Sequence, residues 1–363
     1  MQWNISFREF DVIDNTTFDN EGSGAFPPWM FTLFMPAFYG VVCISGIVGN
    51  GVVIYVLVKY KIMHTVPGAY ILNLASTDFL FLLGLPFLGY FNITRKWVFG
   101  DSLCRLIMGI DGMNMLTGIF TLTAMSVDRY LAIVHPVWSK THRTVTKARF
   151  ICLLTWTLSA IITIPLWLYA KTQSFFGVTV CNIICPNLSK RIFIICSFCL
   201  GFALPLMVVL VAYTNIIHFL KIGNRRNRRQ FKLGRVGVMI LLAILLFVLC
   251  WLPFWVSQLM VVATHGHVSR PRALKIAYFC SPFLSYTNSC LNPIVYTYVR
   301  SDFRRSVAKL FGQDQRKPPK LEINGRSVNG STSNMNMQLS KFTTDKPSVT
   351  VTVFNQDPHI DRL

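Results

Sequence analysis

Seven long apolar stretches alternate with short polar connections along the chain, at roughly 30–58, 67–91, 102–134, 148–170, 191–220, 235–263 and 273–298. Each exceeds the about 18 residues that argue for a helix crossing a bilayer. The pattern predicts an all-α membrane protein, a seven-transmembrane helix bundle over 30–300. Residues 301–312 are patterned differently. Phe303, Val307, Leu310 and Phe311 share one helical face, and Arg304, Arg305 and Lys309 fall largely elsewhere. That predicts a short amphipathic helix lying on the membrane surface. The remainder, 313–363, is rich in Ser, Thr, Asn and Lys and is expected to be a disordered cytosolic tail.

Composition supports the membrane reading. Of 363 residues 53% are hydrophobic and 14% charged, about half the charged share of a soluble domain. A net charge of +20 would suit a nucleic-acid binder. Here, however, the basic residues cluster between apolar runs, so no nucleic-acid partner is expected. Lys59 and Lys61, then Lys140, Arg143, Lys147 and Arg149, then Lys221 to Arg235, then Arg300 to Lys309 occupy alternate connections. By the positive-inside rule those connections are cytosolic and the amino terminus is outside. Residues 1–25 lack a basic start and a short apolar core, so the first span is expected to serve as an uncleaved anchor. Residues 1–29 carry sequons at Asn4 and Asn15, the candidate glycosylation sites of an extracellular segment.

Some residues inside the runs are too polar for lipid. Asp78 and Asp111 lie within the second and third runs, and Asp128-Arg129-Tyr130 ends the third. Intramembrane charge is costly and points to function. Asn50, Asn114, Asn288, Ser289 and Asn292 are candidate neighbours of Asp78. Asp111 precedes Arg129 by 18 residues, about 27 Å along a helix, which puts it in the outer third of the bundle. There it invites a cationic ligand group through a charge-assisted hydrogen bond. Met115 lies one turn below it, and Gln258 and Tyr286 are candidate contacts from later runs. Pro205, Pro253 and Pro293 each remove an intrahelical hydrogen bond, and kinks are expected there.

The ordered set of motifs identifies a class. Gly49-Asn50, Asn73-Leu74-Ala75 with Asp78, Cys104, Asp128-Arg129-Tyr130, Trp156, Pro205 with Tyr213, Phe247 with Cys250-Trp251-Leu252-Pro253, and Asn288 to Tyr296 together resemble the rhodopsin-like (class A) G-protein-coupled receptors. Leu83-Gly84-Leu85-Pro86-Phe87, Trp97-Val98-Phe99-Gly100 and Met125-Ser126-Val127-Asp128 look like the branch of somatostatin, opioid, melanin-concentrating-hormone and allatostatin-C receptors. The resemblance implies a plasma-membrane receptor, not an enzyme, for an extracellular basic neuropeptide. It also implies inhibitory (Gi/o) G proteins lowering cAMP, with arrestin, receptor kinases and membrane lipids as further partners. Ser327, Ser331, Thr332, Ser333, Ser340, Thr343 and Thr344 are candidate phosphosites.

The resemblance further implies roles for single residues. Asp78, Asn114, Asn288 and Asn292 would hold an allosteric sodium ion, the one cofactor expected. Gly118 stands where the family usually has a Ser ligand, which weakens that site. Asp128, Arg129, Tyr130, Tyr213, Phe247, Trp251, Pro253, Pro293 and Tyr296 would transmit activation to the G protein. A disulfide would join Cys104 to Cys181, with Cys185 four residues on as competitor or free thiol. Met115 replaces the Gln usual in somatostatin receptors, leaving Asp111 as the main polar partner for a ligand cation. A class A receptor for a small amine or other non-peptide ligand is the alternative, and a membrane transporter or channel a remoter one.

Overall fold

The computed structural model describes residues 33–94, 96–175, 177–227, 234–263, 272–299, 301–310, 321–323 and 326–328. The sequon residues Asn4 and Asn15 and most of the tail lie outside these. Residues up to Phe303 form one unit, and Arg304 onward a second.

The first unit is a bundle of seven helical spans. They are Met35–Lys59; Val66–Leu82 continued by Leu85–Thr94; Gly100–Val134; Val145–Ile162 continued by Ile164–Tyr169; Asn187–Asn227; Arg235–Ala263; and Arg272–Val299. Six are long and apolar enough to cross a membrane by length and composition. The seventh runs 28 residues and holds the polar set Asn288, Ser289 and Asn292. The third span packs against the second, fourth, fifth and sixth, which makes it the axis.

Burial is arranged for lipid. Val41, Ile44 and Val48 of the first span, Leu153 and Leu158 of the fourth, and Leu245 and Leu249 of the sixth are exposed. Asn50, Asn73, Asp78, Asp111, Asn114, Asn288, Ser289 and Asn292 are buried. Hydrocarbon offers no hydrogen bonds, so the polar side chains turn inward and hold helix to helix. One such tie joins three spans: Trp156 Nε1 donates to Asn73 Oδ1 (2.8 Å), and Asn73 Nδ2 donates to Thr121 Oγ1 (2.8 Å).

Prolines shape the spans without ending them. Pro293 has no N–H for the carbonyl of Ser289 four residues before it. That carbonyl instead accepts from Asn50 Nδ2 at 3.0 Å, so the first span completes the seventh. Ahead of Pro205 the fifth span widens into a π-helical turn, Cys199–Ala203, a familiar response to a lost ladder bond. Gly201 in that turn lies so near the third span that a Cβ there would stand 2.5 Å from Leu116 Cδ2.

The connections depart from the apolar pattern in three places. The second span breaks at Leu83 and Gly84, just ahead of Pro86, and resumes to Thr94 rather than ending at 91. The fourth span, expected to reach 170, turns at Thr163 ahead of Pro165 and ends at Tyr169. Ala170–Phe175 (β1) and Val178–Ile183 (β2) then form an antiparallel hairpin with Thr172 opposite Cys181. The fifth span starts at Asn187, earlier than the expected 191, with Pro186 as its N-cap, whose carbonyl accepts from Lys190 N at 3.0 Å.

Helix Ser301–Leu310 follows the seventh span, with Phe303 buried and Arg304, Arg305 and Lys309 exposed. In the second unit Leu321–Ile323 (β3) and Arg326–Val328 (β4) pair antiparallel, within the segment read above as a disordered tail.

Asn50→Ala removes the donor that serves the Ser289 carbonyl. A buried acceptor left unmade costs roughly 1–3 kcal/mol. The thermal midpoint of the detergent-solubilised variant is expected to fall accordingly. An unchanged midpoint would show that the carbonyl is served some other way.

Candidate functional site

Three polar levels run down the bundle along the third span. At the outer level Asp111 is 2% exposed and Met115, one turn below, 1%. Gln258 on the sixth span and Tyr286 on the seventh are each 1% exposed. Tyr286 stacks on Phe81 (centroids 4.9 Å apart) and meets Tyr39 edge-on at 5.8 Å. Ile110 packs on the same cluster, so the residue beside Asp111 helps fix its helix face.

An aromatic wall completes this level, and of its members only Trp251 was singled out from the sequence. Trp255 contacts Phe254 (5.2 Å), Phe198 (5.6 Å) and Phe202 (6.3 Å), which links the sixth span to the fifth. The signal was present in the spacing: Trp251, Trp255 and Gln258 share one helical face, and so do Phe198 and Phe202. The indole Nε1 atoms of Trp251 and Trp255 are buried and have no hydrogen-bond acceptor among the described residues. The wall therefore offers both π faces and N–H donors.

The β1–β2 hairpin is fixed to the outer end of the third span. Cys104 and Cys181 are disulfide-bonded, with Cα atoms 5.6 Å apart, and Cys185 is a free thiol. Asp101 Oδ1 accepts from Thr172 N at 2.7 Å and from the Thr172 hydroxyl. Arg105 Nε donates to Ala170 O (3.2 Å), and Trp97 N donates to Thr179 O (2.7 Å). Sequence reading found the cysteines, and Trp97 only as part of a family-like string, but not Asp101 or Arg105, whose partners exist only once the hairpin forms.

At the middle level Asp78 is 4% exposed. Ser289 Oγ donates to its Oδ1 (2.7 Å) and Asn292 Nδ2 to its Oδ2 (2.8 Å). Asn114 Nδ2 reaches Ser289 Oγ at 3.5 Å. The structure thus joins Asp78, Asn114 and Asn292 as one network, with Ser289 at its centre. The Oδ1 atoms of Asn50, Asn114 and Asn288 are buried and have no donor among the described residues. Beside them Gly118 leaves open space, since a Cβ there would meet nothing within 4 Å.

At the inner level Asp128 holds two guanidinium groups. Arg129 Nη2 lies 3.1 Å from Oδ2. Arg143, 15 residues on, donates from Nε to Oδ1 (2.6 Å) and from Nη2 to Oδ2 (2.9 Å). This bidentate pair is the better hydrogen-bonded of the two. Arg143 was counted in the sequence only as a cytosolic charge, and nothing local to it signals its partner. Tyr213 OH donates to Gly237 O (3.0 Å), which ties the fifth span to the sixth. Tyr130 OH and His135 Nε2 are 3.4 Å apart. Tyr296 is buried, with no hydrogen-bond partner for its hydroxyl among the described residues. Phe247 stacks under Trp251 at 5.7 Å, one turn below it on the sixth span.

Comparison with known proteins agrees with this arrangement. Residues 49–296 match the 7 transmembrane receptor (rhodopsin family) model. The chain is 38% identical to somatostatin receptor type 4 of Rattus norvegicus over 286 residues, 75% of this chain and 71% of that relative. It is 38% identical to somatostatin receptor type 5 of Bos taurus over 319 residues, 85% of this chain and 84% of that relative. It is 39% identical to somatostatin receptor type 2 of Mus musculus over 277 residues, 74% of each.

The shared carboxylate at the inner level sets an order of stabilities. Asp128→Ala takes the shared carboxylate away from two partly buried guanidinium groups, whereas Arg143→Ala leaves Asp128 still paired with Arg129. A hydrogen bond to a charged group contributes about 1.5–3 kcal/mol, and Asp128 accepts such bonds from both arginines. Asp128→Ala is therefore expected to lower the thermal midpoint well below that of Arg143→Ala. Equal midpoints would mean that Asp128 does not organise both arginines.

Proposed function

As the chain belongs to the rhodopsin family of seven-transmembrane receptors, we propose that it is a G-protein-coupled receptor for a cationic neuropeptide, acting through inhibitory G proteins to lower cAMP. It is a multi-pass plasma-membrane protein. The observation that carries the ligand class is Asp111: a carboxylate buried at the outer level, beneath a hairpin clamped to its own helix, with Met115 one turn below it and Gln258 and Tyr286 buried on the sixth and seventh spans. A Lys or Arg side chain of a peptide would meet the carboxylate with a charge-assisted hydrogen bond. The backbone carbonyls of the same peptide would find donors in the indoles of Trp251 and Trp255. The likeness to somatostatin receptors supports a peptide over a small amine.

Activation is a population shift, and it requires that the ligand bind the active arrangement more tightly than the inactive one. Trp255 and Trp251 lie on the face of the sixth span that a ligand would press. Pro253 lies between them, and Phe247, one turn below Trp251, carries the change inward. The Tyr213–Gly237 bond and the grip of Asp128 on Arg129 restrain the inner ends. Their release would free Arg129, Tyr213 and Tyr296 for the G protein. Tyr130 stands beside Arg129 at that face, and Pro293 is the corresponding flexible point of the seventh span. Receptor kinases and arrestin would act on the Ser and Thr residues of the tail.

A sodium ion fits the middle level. Asp78 supplies a carboxylate, Ser289 a hydroxyl, and Asn114 and Asn288 amide oxygens, the hard oxygen donors such a cation prefers. Bound there, it would favour the inactive arrangement by neutralising Asp78, and Asn292 would help orient that carboxylate.

In cells expressing the chain, a panel of basic neuropeptides is expected to yield one that lowers cAMP in a pertussis-toxin-sensitive way. Asp111→Asn should weaken that peptide's potency by roughly 10- to 100-fold, the worth of a hydrogen bond to a charged group. Full potency in the variant would exclude the cationic contact, and toxin-insensitive signalling would exclude the inhibitory G protein. Gly118→Ser places a hydroxyl in open space at the sodium level. Sodium should then depress agonist affinity at several-fold lower concentration than in the unaltered receptor. An identical sodium dependence would count against an ion at Asp78.

A further inference from the structure

A cavity lies apart from the central site, on the outside of the bundle. It has a volume of about 340 Å³ and sits where the outer end of the fourth span, the end of β2 and the start of the fifth span converge. Its floor is Leu166, Ile183 and Ile194, all buried, and its sides are Pro165, Tyr169 and Phe193. The bond from Ile184 N to Tyr169 O (2.8 Å) holds the strand end against the helix end and so maintains the gap. Around it Leu168, Leu188, Ile192 and Ile195 are exposed large apolar residues. In a chain that crosses a bilayer these face hydrocarbon, so the cavity opens to lipid.

Its polar groups are confined to one end. Ser189 and Lys190 line it in the first turn of the fifth span, at the membrane's outer boundary, and no Asp or Glu is among its described lining residues. From Ser189 the lining follows the helix inward to Cys196, seven residues and about 10 Å along the axis. The cavity is thus a short apolar channel with a cationic mouth at headgroup depth. Its volume is at the lower end of the range for small-molecule sites, about 300–1,000 Å³. That admits one acyl chain and is small for a two-chain lipid. An ammonium carries three donors and can serve a carboxylate beside other acceptors.

We propose that this cavity binds a long-chain fatty acid from the outer leaflet, its carboxylate held by Lys190 and Ser189 and its chain laid along Phe193 and Leu166 toward Cys196. The site is independent of the peptide reading, because none of the residues assigned to the peptide lines it. Such a ligand would brace the hairpin end against the fifth span, next to the π-helical turn.

The cavity carries its own reporters. Cys185 and Cys196 line it, whereas Cys199, exposed one turn beyond Cys196, does not. Full-length receptor in phosphatidylcholine nanodiscs would be alkylated with N-ethylmaleimide, and the rate at each cysteine read by peptide mass spectrometry. Oleate is expected to slow Cys185 and Cys196 several-fold and to leave Cys199 unchanged. Oleyl alcohol, which has the same chain without the charge, should protect much less. Lys190→Gln should abolish the advantage of oleate over the alcohol, and Lys190→Arg should keep it. Equal slowing at all three cysteines would overturn the proposal by showing a general effect of the membrane. Equal protection by oleate and oleyl alcohol, or an unaltered advantage in Lys190→Gln, would overturn the assignment of a carboxylate at Lys190.

Discussion

A carboxylate in the middle of a membrane protein must be surrounded by donors, and Asp78 imposes that requirement on half the bundle. Its two oxygens are taken by Ser289 and Asn292 of the seventh span, and Asn114 of the third closes on the same serine. Asn50 of the first span reaches the backbone of Ser289 itself. Four helices are therefore set in register by one side chain. Lipid gives no outward pressure comparable to the hydrophobic effect in water, so polar ties of this sort and close packing hold the helices together.

The prolines fit the same logic. Each deletes a backbone donor, and the bundle answers differently at each level. The orphaned carbonyl near Pro293 receives a side chain from a neighbouring helix, while the turn ahead of Pro205 changes its helical form. The helices run on through both sites, yet neither site has a regular ladder. Those are the places where a helix deforms with the fewest bonds to break.

The spans were legible because lipid selects long apolar runs, and their centres needed no tertiary information. Their ends were less so. At Leu83 and Gly84, at Thr163 and at Pro186 the outcome turned on a proline's local geometry rather than on hydropathy. The hairpin was illegible for a different reason: residues 170–183 alternate too weakly to announce strands, and the disulfide and Asp101 hold them. The choice between Cys181 and Cys185 is made by register, since Thr172 bonded to Asp101 brings its strand partner Cys181 beside Cys104. Residues with intramembrane charge, such as Asp78 and Asp111, stood out in the sequence because the cost of placing them there is large. Arg143 and Trp255 did not, being ordinary residue types whose importance depends on what lies across from them.

The hairpin's attachment has a mechanical consequence. Asp101, Cys104 and Arg105 grip it from successive positions within little more than one turn of the third span, and Trp97 adds a backbone bond just before. A helix held at several azimuths around one end has little freedom to roll there. The third span therefore behaves like a shaft set in a collar. Below the collar the third span is held by single polar ties, Asn73 to Thr121 and Arg143 to Asp128, so the end that bears Arg129 is the less firmly held of the two. Direction, which a symmetric bundle of helices would lack, is built in by a two-stranded loop outside the membrane.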